Sequence, residues 1–107
     1  MKSLKFRPKL IPLILSGEKT VTWRLFDEKN ISVGDRVEFI NWETNEVFAH
    51  VRITSVKLKT FKELTPKDWE GHEKFNSEEE KYQTYSAYYN RKVTSSAPVK
   101  IIAFELV

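Results

Sequence analysis

A hydroxyl and two cationic side chains lie close together in the stretch that begins at Gly17. Lys19, Thr22 and Arg24 follow an apolar helical pattern that this glycine is predicted to end. Lysine and arginine donate charge-assisted hydrogen bonds, so this helix-to-strand junction can form a pocket for an anion or for the polar edge of a base. The alternative is a surface strand with a solvated lysine and arginine, and the spacing alone favours that alternative.

A helical run of tyrosines is the second candidate for ligand contact. Tyr82, Tyr85 and Tyr89 fall on one helix face, with Tyr88 at its edge. We expect Tyr82 and Tyr85 to pack this helix against the rest of the fold. Tyr88 and Tyr89, with Arg91 just beyond them, are candidates for stacking on a base or for hydrogen bonding to it. The alternative is that they too are packing residues.

The cationic residues are concentrated in blocks, although the net charge is only +3. One stretch without acidic residues contains Arg52, Lys57 and Lys59. Together with Lys19 and Arg24, these residues are predicted to border one basic cleft. A phosphate-bearing partner such as single-stranded RNA would use such a cleft. The alternative is that the charges are distributed over a solvated surface.

Length and composition limit the classes of protein to consider. A chain of 107 residues is expected to form one domain, residues 1–107. The absence of cysteine excludes disulfides and thiolate chemistry, and the two histidines offer little basis for a metal site, so no metal or cofactor is predicted. No segment has the apolar length of a membrane span or a secretion signal, so we expect a monomeric cytoplasmic protein. Abundant Lys and Glu, beside a single Gln, indicate a thermophilic source.

Periodicity predicts the elements that must position these residues. Strands are predicted at residues 4–6, 20–25, 36–42, 46–58 and 99–107, with a bulge near Thr54 and Ser55 where the alternation changes phase. The last strand is apolar on both faces, which is typical of a central strand. Helices are predicted from Pro8 to Gly17, for one turn after Thr65, and from Ser77 to Tyr89, and a turn is predicted at residues 27–30. This pattern favours a small mixed barrel, α+β or mainly β, of five or six strands with two or three short helices.

The first motif and its setting resemble a known family. The chain reads G-x-K-x-x-T-x-R from Gly17 to Arg24, preceded by Ile-Leu-Ser and followed by the predicted barrel. This resembles the ASCH domain, a relative of the PUA fold, whose usual signature has glutamate where this chain has Thr22. The resemblance covers essentially the whole chain. It implies a PUA-like α+β barrel and an RNA- or nucleoside-binding function.

The threonine variant resembles a small bacterial subgroup of N4-acetylcytidine amidohydrolases. In that subgroup a lysine, a threonine and a downstream glutamate form the catalytic set. The resemblance implies Lys19 as base, Thr22 as nucleophile and Glu73 as general acid, with Glu70 as the alternative third residue. For Lys19 to act as a base, its pKa must fall by roughly three units from ~10.4. Lys19 must also leave the regular strand alternation, which would otherwise point it away from Thr22.

The leading interpretation is therefore a module that binds RNA or a modified cytidine nucleoside. The first alternative is an amidohydrolase, and the second is a protein-binding adaptor in transcription or translation. In the first two, we expect Trp23 and Arg24 to contact the substrate. A closed pocket of nucleoside size would favour the enzyme, whereas an open groove along the basic strand would favour a polymer. A contiguous exposed apolar patch would favour the adaptor.

Overall fold

The fold is built on one curled, five-stranded sheet that forms a half-barrel. The computed structural model describes residues 1–26 and 29–107. The strands are β1 (Lys2–Phe6), β2 (Val21–Arg24), β3 (Arg36–Asn41), β4 (Val47–Thr60) and β5 (Pro98–Leu106), and the α-helices are α1 (Ile11–Leu15) and α2 (Glu78–Tyr89). Short 3-10 turns span Pro8–Leu10, Phe61–Glu63 and Pro66–Trp69.

The strand order is β1-β3-β4-β5-β2, which places β1 and β2 at the two edges of the sheet. The pairing of β1 with β3 is parallel and the other three pairings are antiparallel. The two edges come together across the open side of the half-barrel, where Arg24 Nη2 on β2 donates a hydrogen bond of 2.7 Å to the Lys5 carbonyl oxygen on β1. An α+β fold with a five-stranded, curled sheet is confirmed.

Two irregularities bend the long strand β4. Its register against β5 shifts between Ile53 and Ser55, so the bulge expected from the phase change is confirmed. A second register shift, in the pairing of β4 with β3, lies opposite Phe39 and Ile40 and was not predicted. Bulges increase the local twist and bend of a strand, which helps this sheet curl toward a barrel.

Two apolar cores share strand β5. The first core fills the half-barrel, and the second lies under α2. The first core includes Leu4, Phe6, Ile14, Val37, Phe39, Val51, Ile53, Ile102 and Phe104. The second includes Trp23, Leu25, Phe61, Tyr85, Val93, Val99 and Ile101. Because β5 lies between β4 and β2 and its alternate residues enter different cores, it is apolar on both faces, as predicted for a central strand.

The helix ends follow local sequence signals. The turn after Thr65 has the predicted capping box, and α2 begins where Ser77 Oγ accepts a hydrogen bond from the Glu80 amide. It ends at Asn90, in the left-handed conformation with φ 51°. Asp27 and Glu28, which belong to the turn predicted at residues 27–30, lie outside the described residues. Among the described helices, none combines the length and apolarity that crossing a membrane requires.

Candidate functional site

Lys19 lies in the link between α1 and β2, and only 2 % of it is exposed. Its backbone amide donates to the Leu13 carbonyl oxygen at 2.9 Å, which holds the link against α1. The ammonium group donates to the Val21 carbonyl oxygen at 2.7 Å and forms an ion pair with Glu73. Since β2 begins only at Val21, Lys19 lies outside the strand alternation that would have turned it away from Thr22.

Glu73 reaches Lys19 because the chain before it is docked on the start of β2. The Gly71 carbonyl oxygen accepts hydrogen bonds from the amides of Thr20, at 2.8 Å, and Val21, at 3.2 Å. Gly71 has φ +77°, and a Cβ atom there would lie 2.1 Å from Thr20 Oγ1, so only glycine fits this approach. Of the two candidate glutamates, Glu70 is exposed, whereas Glu73 is the one paired with Lys19.

His72 is buried next to the site and fixes the backbone of Glu73 through a hydrogen bond. Its ring stacks on Trp23 with centroids 3.8 Å apart, Nδ1–H donates to the Glu73 carbonyl oxygen at 2.7 Å, and Nε2 lies 3.1 Å from the Tyr85 hydroxyl. Because a carbonyl oxygen can only accept, Nε2 is the unprotonated nitrogen and accepts from Tyr85. Burial and the charge of Lys19 lower the pKa of His72 to about 3, so the ring is neutral at physiological pH.

The Lys19–Glu73 contact shifts the pKa values of both groups. Burial lowers the pKa of Lys19 below its ordinary value, although the neighbouring Glu73 carboxylate partly opposes that effect. Burial alone would raise the pKa of Glu73, but the charge and hydrogen bond of Lys19 outweigh it and lower that pKa. In the free protein, therefore, Glu73 is a carboxylate at neutral pH. A Glu73 general acid would need the protonated form of this group.

A cavity of about 560 Å³ lies at the open side of the half-barrel, between β1, β2 and α2. Its size falls within the range of small-molecule sites. Thr22 and Glu73 both line it, together with Leu4, Lys5, Phe6, Arg7, Leu10, Trp23, Arg24, Leu25, Phe26, Lys29, Trp42, Tyr85, Tyr88 and Tyr89. The cavity thus combines a hydroxyl, a carboxylate, aromatic rings and several cations.

Arg24 contacts both Thr22, the candidate nucleophile, and the Phe6 ring of β1. Its Nε lies 3.4 Å from Thr22 Oγ1, in the geometry of a donated hydrogen bond, and its guanidinium lies 4.5 Å above the Phe6 ring. Thr22 itself is 4 % exposed. A cationic donor beside a hydroxyl oxygen stabilises negative charge that develops there.

The tyrosines of α2 divide as the helical spacing predicts. Tyr85 is buried and Tyr82 packs edge-on against Phe61 with ring centroids 5.6 Å apart, so their packing role is confirmed. Tyr88 and Tyr89 line the cavity, and the Tyr89 hydroxyl accepts a hydrogen bond from the Leu25 amide. Arg91 lies over the Phe26 ring at 4.2 Å and is absent from the described lining.

The basic residues of β4 lie elsewhere. Arg52 pairs with Glu105 on the neighbouring strand, with Nε 2.9 Å from the carboxylate, and Lys59 pairs with Asp68 at 2.7 Å. Lys57 is exposed, and none of these three is among the described residues that line the cavity. Of the five cations, the described lining of the cavity includes only Arg24: Arg52 and Lys59 are paired with Glu105 and Asp68, Lys57 is exposed, and Lys19 is buried with Glu73.

Arg7 was not singled out as a cavity residue in the sequence, and Trp42 was expected only as a core or pocket-wall residue. Arg7 and Trp42 stack on each other, with the guanidinium 3.7 Å from the ring centroid. They come from the ends of β1 and β3, which pair in parallel and therefore end at the same side of the sheet. The sequence did not predict the contact between Arg7 and Trp42, because nothing in it indicated that β1 and β3 pair in parallel. Within residues 1–26 and 29–107, no three His, Asp or Glu side chains cluster as a metal site would require.

The curled half-barrel and the G-x-K-x-x-T-x-R junction beside its open edge define an ASCH-type, PUA-like domain. The chain belongs to the ASCH domain family, whose model it matches over residues 2–107. The resemblance seen in the sequence is thereby confirmed for the family, while the amidohydrolase subgroup stays a prediction.

Solved structures of similar fold span the whole chain. The hypothetical protein PH0355 is 27% identical over 100% of both chains, with a TM-score of 0.71. The protein PF0455 from Pyrococcus furiosus is 25% identical, covering 99% of this chain and 96% of its own, with a TM-score of 0.66. An ASCH domain from Lactobacillus crispatus is 18% identical over 92% of this chain and 70% of its own, with a TM-score of 0.68, which shows the shared fold. No protein of curated description is significantly similar in sequence.

Proposed function

We propose that this protein is an amidohydrolase that removes the acyl group of an N4-acylated cytidine held in the cavity. The observation that carries this proposal is the buried Lys19–Glu73 ion pair, whose carboxylate opens on a nucleoside-sized cavity that Thr22 also lines. Desolvating a pair of charges costs several kcal/mol unless their geometry is good, and apolar replacements are often as stable. A catalytic role explains why the protein retains this ion pair beside a cavity despite its desolvation cost.

The size and surroundings of the cavity favour a single nucleoside over a polymer. It holds about 560 Å³ and does not continue along the basic residues of β4, since Arg52, Lys57 and Lys59 are not among its described lining residues. Aromatic side chains of the lining, such as Tyr88 and Tyr89, offer apolar surface that a nucleoside can contact.

The chemistry follows from the protonation states of the site. Glu73, as a carboxylate, accepts the Thr22 hydroxyl proton while Oγ1 attacks the carbonyl carbon of the acyl group. The carbon–nitrogen bond then breaks, and the proton held by Glu73 passes to the departing N4 amine. A water molecule then attacks the threonyl ester as Glu73 takes its proton. The ester carbon–oxygen bond breaks, that proton passes to Thr22 Oγ1, and the carboxylic acid is released. Lys19 stays charged and keeps Glu73 oriented, and Arg24 stabilises the charge at Oγ1.

Hydrolysis of N4-acetylcytidine, followed by chromatography as release of cytidine, tests the proposal. Thr22→Val should abolish turnover because valine keeps the β-branched shape and lacks the nucleophilic oxygen. Thr20→Val makes the same change at an exposed neighbour outside the described lining and should retain turnover. Equal rates in the two variants would exclude Thr22 as nucleophile.

The two glutamates provide a second matched pair. Glu73→Gln should slow hydrolysis by about 10²–10⁴-fold, which is the usual contribution of a general acid–base group. Glu70→Gln removes one carboxylate from an exposed position three residues away and should leave the rate unchanged. If the unaltered protein deacylates neither N4-acetylcytidine nor its 5′-monophosphate, the hydrolase proposal is wrong, and the cavity is then a binding site only.

A further inference from the structure

Arg7 is held rigidly where the cavity meets solvent. It follows directly after β1, is half-buried and lines the cavity. Its guanidinium carbon lies 3.7 Å from the ring centroid of Trp42 and 5.2 Å from that of Tyr88. Stacking of a guanidinium on aromatic faces fixes its plane and leaves its N–H donors at the edges free to bind.

Arg7 is not neutralised within the described part of the chain. No carboxylate of residues 1–26 or 29–107 forms an ion pair with it, and none of its N–H groups has a hydrogen-bond acceptor there. Arg52, by contrast, is paired with Glu105. A preorganised guanidinium without an acceptor matches the planar, two-point recognition of a phosphoryl or carboxyl group.

The described lining of the cavity contains two cations, Lys5 and Arg7, that have no acidic partner within residues 1–26 and 29–107. Its one described carboxylate, Glu73, is already paired with Lys19. Such a surface raises the local concentration of anionic ligands and favours the ligand form that carries a phosphate.

The position of Arg7 fits the far end of a nucleotide. The Tyr85 ring lies 5.7 Å from that of Tyr88, whose other neighbour is the Arg7 guanidinium. Tyr85 is in turn hydrogen-bonded to His72, next to Glu73. A base that presents its N4 position to Glu73 would therefore have its sugar beside Tyr88 and its 5′ substituent near Arg7.

We infer that Arg7 binds a phosphoryl group and that the ligand of this cavity is a cytidine nucleotide instead of a free nucleoside. The identity of the base rests on the proposed function, whereas the phosphoryl position rests on Arg7 and the charged lining. Hydrolysis is not needed for the phosphate preference, so the two proposals can fail separately.

Titration of tryptophan fluorescence with cytidine and with cytidine 5′-monophosphate tests this inference, since Trp42 lies in the cavity. The monophosphate should bind about 10–100-fold more tightly than cytidine, as expected for hydrogen bonds to a charged group. Arg7→Gln should remove this difference and leave the affinity for cytidine nearly unchanged, while Arg7→Lys should retain part of it. Lys9→Gln, an equal loss of charge at an exposed residue outside the described lining, should retain all of it.

Equal affinities for the two ligands, no detectable binding of either, or a preference that survives Arg7→Gln would overturn the inference. A short cytidine-containing RNA provides the second source of a phosphoryl group. If it binds more tightly than the monophosphate and the advantage is lost in Arg7→Gln, the ligand is a polynucleotide and the mononucleotide assignment is wrong. An Arg7-dependent preference in a protein that deacylates neither N4-acetylcytidine nor its 5′-monophosphate would support this inference while removing the proposed hydrolase activity.

Discussion

The neutral imidazole of His72 connects the aromatic core to the reactive carboxylate. Its ring stacks on Trp23, and its two nitrogens bond to the Glu73 carbonyl oxygen and to the Tyr85 hydroxyl. Protonation of the ring would place a positive charge in a buried position close to the Lys19 ammonium group. The site therefore depends on a histidine that stays uncharged.

This arrangement predicts an acid-sensitive fold. The pKa of His72 is about 3 in the folded protein against 6.5 for an unhindered histidine, so the unfolded chain binds more protons between these values. The free energy of unfolding should therefore fall as the pH is lowered from 6.5 toward 3, with a contribution from His72 of about 5 kcal/mol at most. Urea unfolding measured at a series of pH values gives this slope.

Two variants separate His72 from the other titrating groups. His72→Phe keeps an aromatic ring on Trp23, loses both hydrogen bonds and cannot titrate, so it should be less stable at neutral pH with a flatter slope below pH 6.5. His50→Gln removes a histidine that is exposed on β4 and serves as the control for the loss of a histidine outside the core. An unchanged slope in His72→Phe would contradict the assignment.

Glu73 and Lys19 predict the pH dependence of hydrolysis. Because the pKa of Glu73 is lowered, the reactive carboxylate persists through neutral pH, and the rate should fall only below pH ~4.5, the ordinary range of a glutamate. Because burial lowers the pKa of Lys19, an alkaline loss of rate should begin below the ordinary value of 10.5 as Glu73 loses its partner. A pH–rate profile that rises through pH 9 and beyond would instead indicate a neutral Lys19 acting as base.

At the scale of elements, the docking of Gly71 on the start of β2 is what brings a glutamate to Lys19. Gly71→Ala should destabilise the fold by about 1–3 kcal/mol through backbone strain, with a further cost from the clash with Thr20, and should reduce hydrolysis by displacing Glu73. Gly17→Ala has a similar positive φ, +84°, with no atom within 4 Å of the new Cβ, and so measures the strain alone. Thermal unfolding and hydrolysis rates give both quantities.

Removal of the Thr20 hydroxyl provides the check. In the background of Gly71→Ala, Thr20→Ala removes the oxygen that the new Cβ would meet at 2.1 Å, so it should recover part of the lost stability. The same change in Gly17→Ala should recover none. If Gly71→Ala and Gly17→Ala lose equal stability and equal activity, the close approach does not position the site.

Elements with local signals were predictable, and contacts between distant segments were not. The phase change at Thr54 predicted the bulge, and the residues around Ser77 predicted the start of α2, because each signal lies within a few neighbouring residues. The partner of Lys19 lies 54 residues away, and the choice between Glu70 and Glu73 depended on how a loop docks. The surroundings of the cations in the predicted basic cleft were unpredictable for the same reason, since Glu105 pairs with Arg52 from 53 residues away.

At the scale of the whole molecule, strand β5 makes the two cores interdependent. Ile102 belongs to the core inside the half-barrel, and Val99 to the core under α2. Ile102→Ala should lower the free energy of unfolding by about 2–5 kcal/mol. Since Trp23 and Trp69 report on the other core, their fluorescence and the far-ultraviolet circular dichroism should shift together in one transition. Two separated transitions would show that the cores unfold independently.

The cavity lies at the side of the half-barrel where the edge strands β1 and β2 face each other without pairing in the described sheet. The Arg24 side chain connects the two strands there by donating a hydrogen bond to the Lys5 carbonyl oxygen. Residues facing this seam, such as Arg7 and Trp42, lie outside both buried cores. Their replacement alters what the protein can hold while the sheet and its cores stay intact. Ligand preference in this scaffold is therefore free to diverge at little cost in folding stability.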